Sequence, residues 1–240
     1  NRFVSHAWKY RFEDVINSLA AHVDPSDYLW FDICTVNQHV TKHIDFQTTF
    51  KEAVGDIGHT LLVMAPWENP IPLTRSWCIW EIFSTLSSEK TNLEVVLIEE
   101  VEFVKKLCST DEWYDMFRSL FQLKSEGAKA GNLKDQEAIY DAVKETDGFK
   151  KVNEKCREGI KQGLVEIATR KLDKLDTMGE EKWSFMANVA TLLYEIGKLA
   201  AAEKLCRSAL EKCKGTLEQT QTYMLTFEVQ LVPVLQAQDK

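Results

Sequence analysis

Glycine and proline are scarce in this chain, 10 and 5 among 240 residues, together about 6% and half the usual share. That composition excludes collagen-like and low-complexity structure. Four of the five prolines lie at or before Pro72, so a helix-rich second half is expected. Long apolar runs are also missing: Leu61–Ala65 and Val95–Ile98 are far shorter than the roughly 20 residues that cross a bilayer, which argues against an integral membrane protein. No CxxC pair occurs among Cys34, Cys78, Cys108, Cys156, Cys206 and Cys213. Their apolar surroundings favour reduced, packed thiols over disulfides or zinc ligands, and with them a cytoplasmic setting. Basic charge is in deficit too. Residues 1–100 carry 7 Lys and Arg against 14 Asp and Glu, and the whole chain has a net charge of -8, so no long-range attraction to nucleic acid is expected.

Two absences bear directly on chemistry. No Gly precedes Gly55, so the first strand-to-helix turn cannot carry GxGxxG or GxxxxGK[ST], and a dinucleotide held in the Rossmann or P-loop manner is excluded. There is no GxSxG elbow. His39 and His43 stand four apart but without HExxH, and they read as solvated loop residues, with no metal site expected.

What is present is an alternation of strand and helix. Arg2–Ala7, Tyr28–Cys34, His59–Ala65 and Leu93–Glu99 read as strands, the last three apolar at their centres as in strands covered on both faces. Phe12, Val15, Ile16 and Leu19 recur at helical spacing, as do Ile79, Ile82, Phe83 and Leu86, and Asp45–Ile57 supplies a weaker third helix. This pattern predicts an α/β fold with a flavodoxin-like parallel sheet. Beyond Glu100, Glu102–Cys108, Asp111–Leu123, Leu133–Glu145 and Lys150–Lys174 read as helices, Ser125–Asn132 as a hinge, and a short fifth strand has room to hide. The charged stretch Arg170–Glu181 is the expected boundary between an α/β domain over residues 1–172 and a helical segment over 183–240.

In that segment LLYEIGK, ending at Lys198, returns as VLQAQDK, ending at Lys240, an offset of 42 residues. Gly197 followed by Ala202, Cys206 and Ala209 gives a turn and a small-residue face on which two helices approach closely. The segment resembles tetratricopeptide repeats of the longer kinesin-light-chain variety, about one and a half copies. Such arrays need about three copies for a stable stack, and the chain opens at Asn1 directly before its first strand. A longer natural protein is therefore expected at both ends.

In an open parallel sheet, ligands bind beyond the carboxyl ends of the strands, where strand order reverses. Here that point is expected between the first and third strands, flanked by Ser5–Lys9 and by Ala65–Trp77. Trp8, Trp67, Trp77 and Trp80 are four of the seven tryptophans, and they suit either stacking on a flat ligand or a local apolar cluster. Glu81 lies about 200° around its helix from Ile79, which is expected to turn it away from the buried stripe and toward the crevice, on the face of Trp77.

The stretches Phe3–Trp8, Ile57–Pro66 and Arg75–Ile82, above all Ser76-Trp77-Cys78 with Glu81 four residues after Trp77, resemble a TIR (Toll/interleukin-1 receptor) domain over about residues 1–170. The loop Thr35–Lys42 departs from the family pattern, lacking its acidic residue and Gly, and so does the turn Lys9-Tyr10-Arg11. The resemblance implies cleavage of the nicotinamide glycosidic bond of NAD, a substrate rather than a cofactor, with Glu81 as the essential carboxylate. It implies a ligand wall drawn from Ser5, His6, Trp8, Arg11, Arg75, Ser76, Trp77 and Cys78, either arginine pairing with the pyrophosphate. It also implies signalling through self-association of the α/β domains, with a protein or peptide partner held by the repeats. Two alternatives stay open. One is a non-catalytic signalling adaptor; the other is a nucleoside hydrolase or deoxyribosyltransferase-like enzyme using Asp32, at the end of the second strand, as a second carboxylate.

Overall fold

A computed structural model of the chain describes residues 1–36, 46–109, 113–119, 124–146, 148–174, 180–213 and 221–238. Four strands, β1 (Arg2–Ser5), β2 (Leu29–Trp30), β3 (His59–Met64) and β4 (Asn92–Leu97), form one sheet in the order β2-β1-β3-β4. All pairings are parallel. Strand order reverses between β1 and β3, where the ligand crevice of such a sheet is expected. Among the described residues no fifth strand follows β4; the stretch beyond Glu100 adds one isolated parallel bridge, Arg75 to Lys129.

The second strand is shorter than its apolar run suggests. Only Leu29 and Trp30 pair with β1, and Asp32–Thr35 close instead into a single helical turn, α2. Asp32 thus opens a helix rather than ending a strand. His39, His43 and most of the loop Thr35–Lys42 lie outside the described residues.

The alternation of β1 decides what each face of the sheet carries. Val4 joins Leu61, Val63 and Val96 against Val15 and Leu19 of α1 (Phe12–Ala20). Phe3 faces the other way, into Phe50 and Val54 of α3 (Phe46–Ile57), and stacks on Trp30 with ring centroids 4.6 Å apart. Ser5, two residues on, shares the face of Phe3. It meets α4 (Ser76–Leu86).

The protein divides into two compact units, Asn1–Glu100 with Met116–Gly163, and Val101–Asp115 with Leu164–Lys240. In the first, α8 (Gly148–Lys174) packs against α4 and β4 where it lacks side chains: a Cβ added at Gly159 would fall 2.5 Å from Leu86 Cδ1, and one at Gly163 would fall 2.8 Å from Val95 Cβ. Also in this unit, α7 (Leu133–Glu145) is capped by the side chain of Asn132, which accepts from the Asp135 amide at 2.8 Å.

The second unit is helical. It holds most of α5 (Glu100–Cys108), the start of α6 (Trp113–Ser119), the end of α8, and α9 (Glu180–Glu195), α10 (Leu199–Cys213) and α11 (Gln221–Gln238). Gly197, at φ 75°, turns the chain from α9 to α10. Its amide bonds to Tyr194 O and that of Lys198 to Leu193 O, both at 2.9 Å, the paired hydrogen bonds of a Schellman stop. Ala187, Ala190, Cys206 and Ala209 are buried between these helices with Trp183 and Phe227.

Candidate active site

The site is built around α4, which is buried on nearly every side: Ser76, Cys78, Ile79, Trp80, Glu81, Ile82, Phe83 and Thr85 are all covered. One side meets α8. Cys156 Sγ donates toward Ile79 O at 3.9 Å, Lys155 Nζ lies 5.5 Å from the Phe83 ring centre, and Gly159 admits Leu86. The opposite side meets the β1/β3 seam through polar groups. Thr85 and Thr60 share a hydroxyl contact of 2.8 Å, Ser5 Oγ donates to Glu81 Oε2 at 2.6 Å, and Cys78 Sγ donates to the carbonyl of His6 at 3.3 Å.

This corrects the expected exposure of Glu81. The stripe headed by Ile79 packs against another helix, so the side opposite it turns onto the sheet rather than outward, and Glu81 is only 8% exposed. Burial raises its carboxyl from the usual 4.5 to about 8, with Ser5 opposing and the charge of Asp32 adding to the rise. At neutral pH Glu81 therefore carries a proton. The Cys78 thiol, one turn earlier, is pushed well above its ordinary range by burial and by Glu81. It is a packing thiol rather than a nucleophile.

Beside this pair lies a second cluster. Asp32 Oδ2 accepts from the indole N–H of Trp8 at 2.7 Å, and its Oδ1 lies 3.7 Å from His6 Nδ1. His6 is buried, its ring 4.7 Å from that of Phe31 in a T-shaped contact. Burial lowers the imidazole pKa, Asp32 opposes that effect and Arg75 reinforces it. Trp8 is 55% exposed, so its indole is pinned at the N–H and open on its surface.

The predicted residues therefore separate. Ser5, His6, Cys78 and Glu81 are joined by the hydrogen bonds above, and Ser76 is buried at the start of the same helix. The two arginines differ: Arg75 stands at the N-cap position of α4 and its charge acts on His6 and Cys78, whereas Arg11 is exposed and pairs with Glu13 at 3.2 Å. Of the four tryptophans, Trp67 and Trp80 belong to the core. Trp77 packs on Phe50, ring centres 5.4 Å apart, and its indole N–H donates to Asp135 at 3.3 Å. Only Trp8 presents an open ring. Asp32, considered in the sequence only for a rival chemistry, turns out to organise Trp8 and His6.

Tyr10 was missed as well. Its hydroxyl donates to Ala65 O at 2.6 Å and accepts from Ala65 N at 2.8 Å, tying the loop after β1 to the end of β3. Its sequence signal was only a tyrosine in the turn Lys9-Tyr10-Arg11. Among the described residues no group of three or more His, Cys, Asp or Glu side chains is arranged to hold a metal, and no helix is long and apolar enough to cross a membrane. No protein-family model, curated protein or solved structure matches the chain.

Proposed function

We propose that this is a flavodoxin-like, TIR-like domain that cleaves the nicotinamide–ribose bond of NAD, followed by tetratricopeptide-type helices. The observation that carries the reading is the Ser5–Glu81 hydrogen bond of 2.6 Å at the strand-order reversal, on a carboxyl raised to about 8. Nicotinamide leaves as a neutral group from a cationic ring, so no general acid is required. The protein must orient the ribose and answer the positive charge of an oxocarbenium-like transition state. In this reading Ser5 holds the Glu81 carboxyl in position; the positive charge of the bound substrate favours its ionised form, the proton leaves to solvent, and the carboxylate faces the developing charge. Trp8 stacks on a base, and Arg75 rather than Arg11 pairs with the pyrophosphate. The protein acts in the cytoplasm, its α/β domains self-associate, and the repeats hold a protein or peptide partner.

The test is nicotinamide release from NAD by concentrated protein, followed by chromatography, with Glu81→Gln beside the wild type. The expected loss on substitution is about a hundredfold or more, and wild-type kcat/KM should rise with pH toward 8 as Glu81 ionises. Release unchanged by Glu81→Gln sinks the reading.

One observation favours a second reading, a non-catalytic signalling adaptor: Glu81 is 8% exposed and already partnered by Ser5, as a structural carboxyl would be. Absence of turnover under crowding, together with self-association of the folded protein, selects the adaptor.

A further inference from the structure

The Trp8–Asp32–His6 cluster contains an unused hydrogen-bonding position. His6 is 7% exposed, and its Nε2 has no hydrogen-bond partner among the described residues. A buried ring nitrogen left unpaired costs roughly 1–3 kcal/mol, so its persistence calls for a partner supplied from elsewhere. The other ring nitrogen explains which chemistry Nε2 offers. Nδ1 lies 3.7 Å from Asp32 Oδ1, too far for a direct hydrogen bond, yet close enough for the carboxylate to favour the proton on that nitrogen. Burial, aided by Arg75 and opposed by Asp32, keeps the ring neutral. Nε2 is then a lone-pair acceptor, not a donor. A second polar atom is also unpartnered here: Ser76 Oγ, buried at the start of the helix whose Cys78 donates to the His6 carbonyl.

We propose that His6 Nε2 is a hydrogen-bond acceptor for a hydroxyl group of the bound sugar, with Asp32 as the positioning residue that sets the imidazole tautomer and pins the Trp8 ring beside it. The ligand class is a hydroxylated pentose attached to a flat base. The sugar hydroxyl donates to Nε2 and the base covers the open indole. A hydrophobic ligand without a hydroxyl would leave Nε2 unpaired and is disfavoured. The assignment rests on the nucleotide reading of the site and adds the residues that recognise the sugar.

The experiment uses the full chain with 15N-labelled histidine, the His6 resonances assigned by their loss in His6→Gln. ADP-ribose is titrated in, with 2′,3′-dideoxy-ADP, which keeps the base but lacks the hydroxyls of the sugar attached to it, as the control; calorimetry follows binding independently. The expected result is an Nδ1-protonated His6 in the free protein and a shift of Nε2 on ADP-ribose that 2′,3′-dideoxy-ADP does not reproduce. His6→Gln, or removal of the carboxylate in Asp32→Ala, should weaken ADP-ribose binding about three- to tenfold, the worth of one neutral hydrogen bond. Asp32→Ala should also mix the two tautomers, which a merely structural aspartate would not do. ADP-ribose that binds by calorimetry without moving Nε2 overturns this assignment and leaves the nucleotide reading standing. No binding by calorimetry and no nicotinamide release overturns both.

Discussion

Glu81 takes up a proton on folding, since burial moves its carboxyl from the usual 4.5 to about 8. The folded chain therefore holds more protons than the unfolded chain between those values. The stability of the protonated form is complete below the lower value and is lost as pH rises through the higher one. His6 works in the opposite direction. Its lowered pKa, set by burial with Asp32 opposing and Arg75 assisting, adds stability as pH rises toward the ordinary imidazole value. Above about pH 6.5 the Glu81 effect is joined, as pH nears the ordinary thiol range, by that of the buried thiols Cys78, Cys156 and Cys206, which burial also raises: denaturant titrations should show the wild type losing about 2 kcal/mol more than Glu81→Gln between about pH 6.5 and 8.5. An unchanged slope would mean that Glu81 is ionised throughout. At this scale the sequence was informative about identity and misleading about exposure. Glu81 and Ser5 stood out from the wording of their segments, but α4 was read as a helix with one buried side, and periodicity cannot reveal a helix covered on both. The place of Asp32, named in the sequence as a strand-end residue, was hidden for a related reason: a continuous apolar run does not tell a strand from a helical turn.

At the scale of elements, α1, α3, α4, α7 and α8 were legible because apolar residues at i, i+3 and i+4 survive any change of partner. Their partners were not. Nothing in Gly159 and Gly163 announced that α8 would lie against Leu86 and Val95, because a helical glycine reads first as a defect. Here each glycine is an opening into which a neighbouring side chain fits. Gly163→Ala should therefore destabilise the protein, despite the higher helix propensity of alanine, which alone favours the substitution by about 1 kcal/mol. A Cβ there would sit 2.8 Å from Val95 Cβ and 3.5 Å from the Val95 amide nitrogen. Overpacking of that kind costs about 1–3 kcal/mol, read as a lower midpoint in thermal melts. The double change Gly163→Ala with Val95→Ala should recover part of the loss, while stabilisation by the single change would disprove the close contact.

For the whole molecule, charge distribution matters more than its total. Residues 1–100, which supply all four strands and every residue of the proposed site, carry 14 acidic side chains against 7 basic ones. NAD is itself a net anion, so at low salt it approaches against the protein's field, and salt weakens that repulsion. KM for NAD should fall, with kcat unchanged, as sodium chloride is raised from about 10 to 150 mM, a range over which the Debye length shrinks from about 30 to 8 Å. A KM that climbs instead would show that Arg75 governs the approach. The alternation of strands and helices made the α/β class legible at this scale, and the Gly197 turn with its small-residue neighbours did the same for the α9–α10 helix pair. Strand order was inferred from fold logic, and the division into two units, with α5 grouped beside the C-terminal helices, had no sequence signal because it depends on contacts far apart in the chain.

The hydroxyl of Tyr10 meets both backbone groups of Ala65, and the Tyr10 amide closes the turn from Ala7 at 3.0 Å. One phenol thus stands in for a neighbouring strand, adding a rung to the sheet past the point where β3 stops. The amide hydrogen of Ala65, although it belongs to a connecting segment, is sheltered from solvent deuterium as a strand amide is. The turn bearing Trp8 is moored at the same point, so its indole is held in place before any ligand arrives and little freedom remains to be lost on contact.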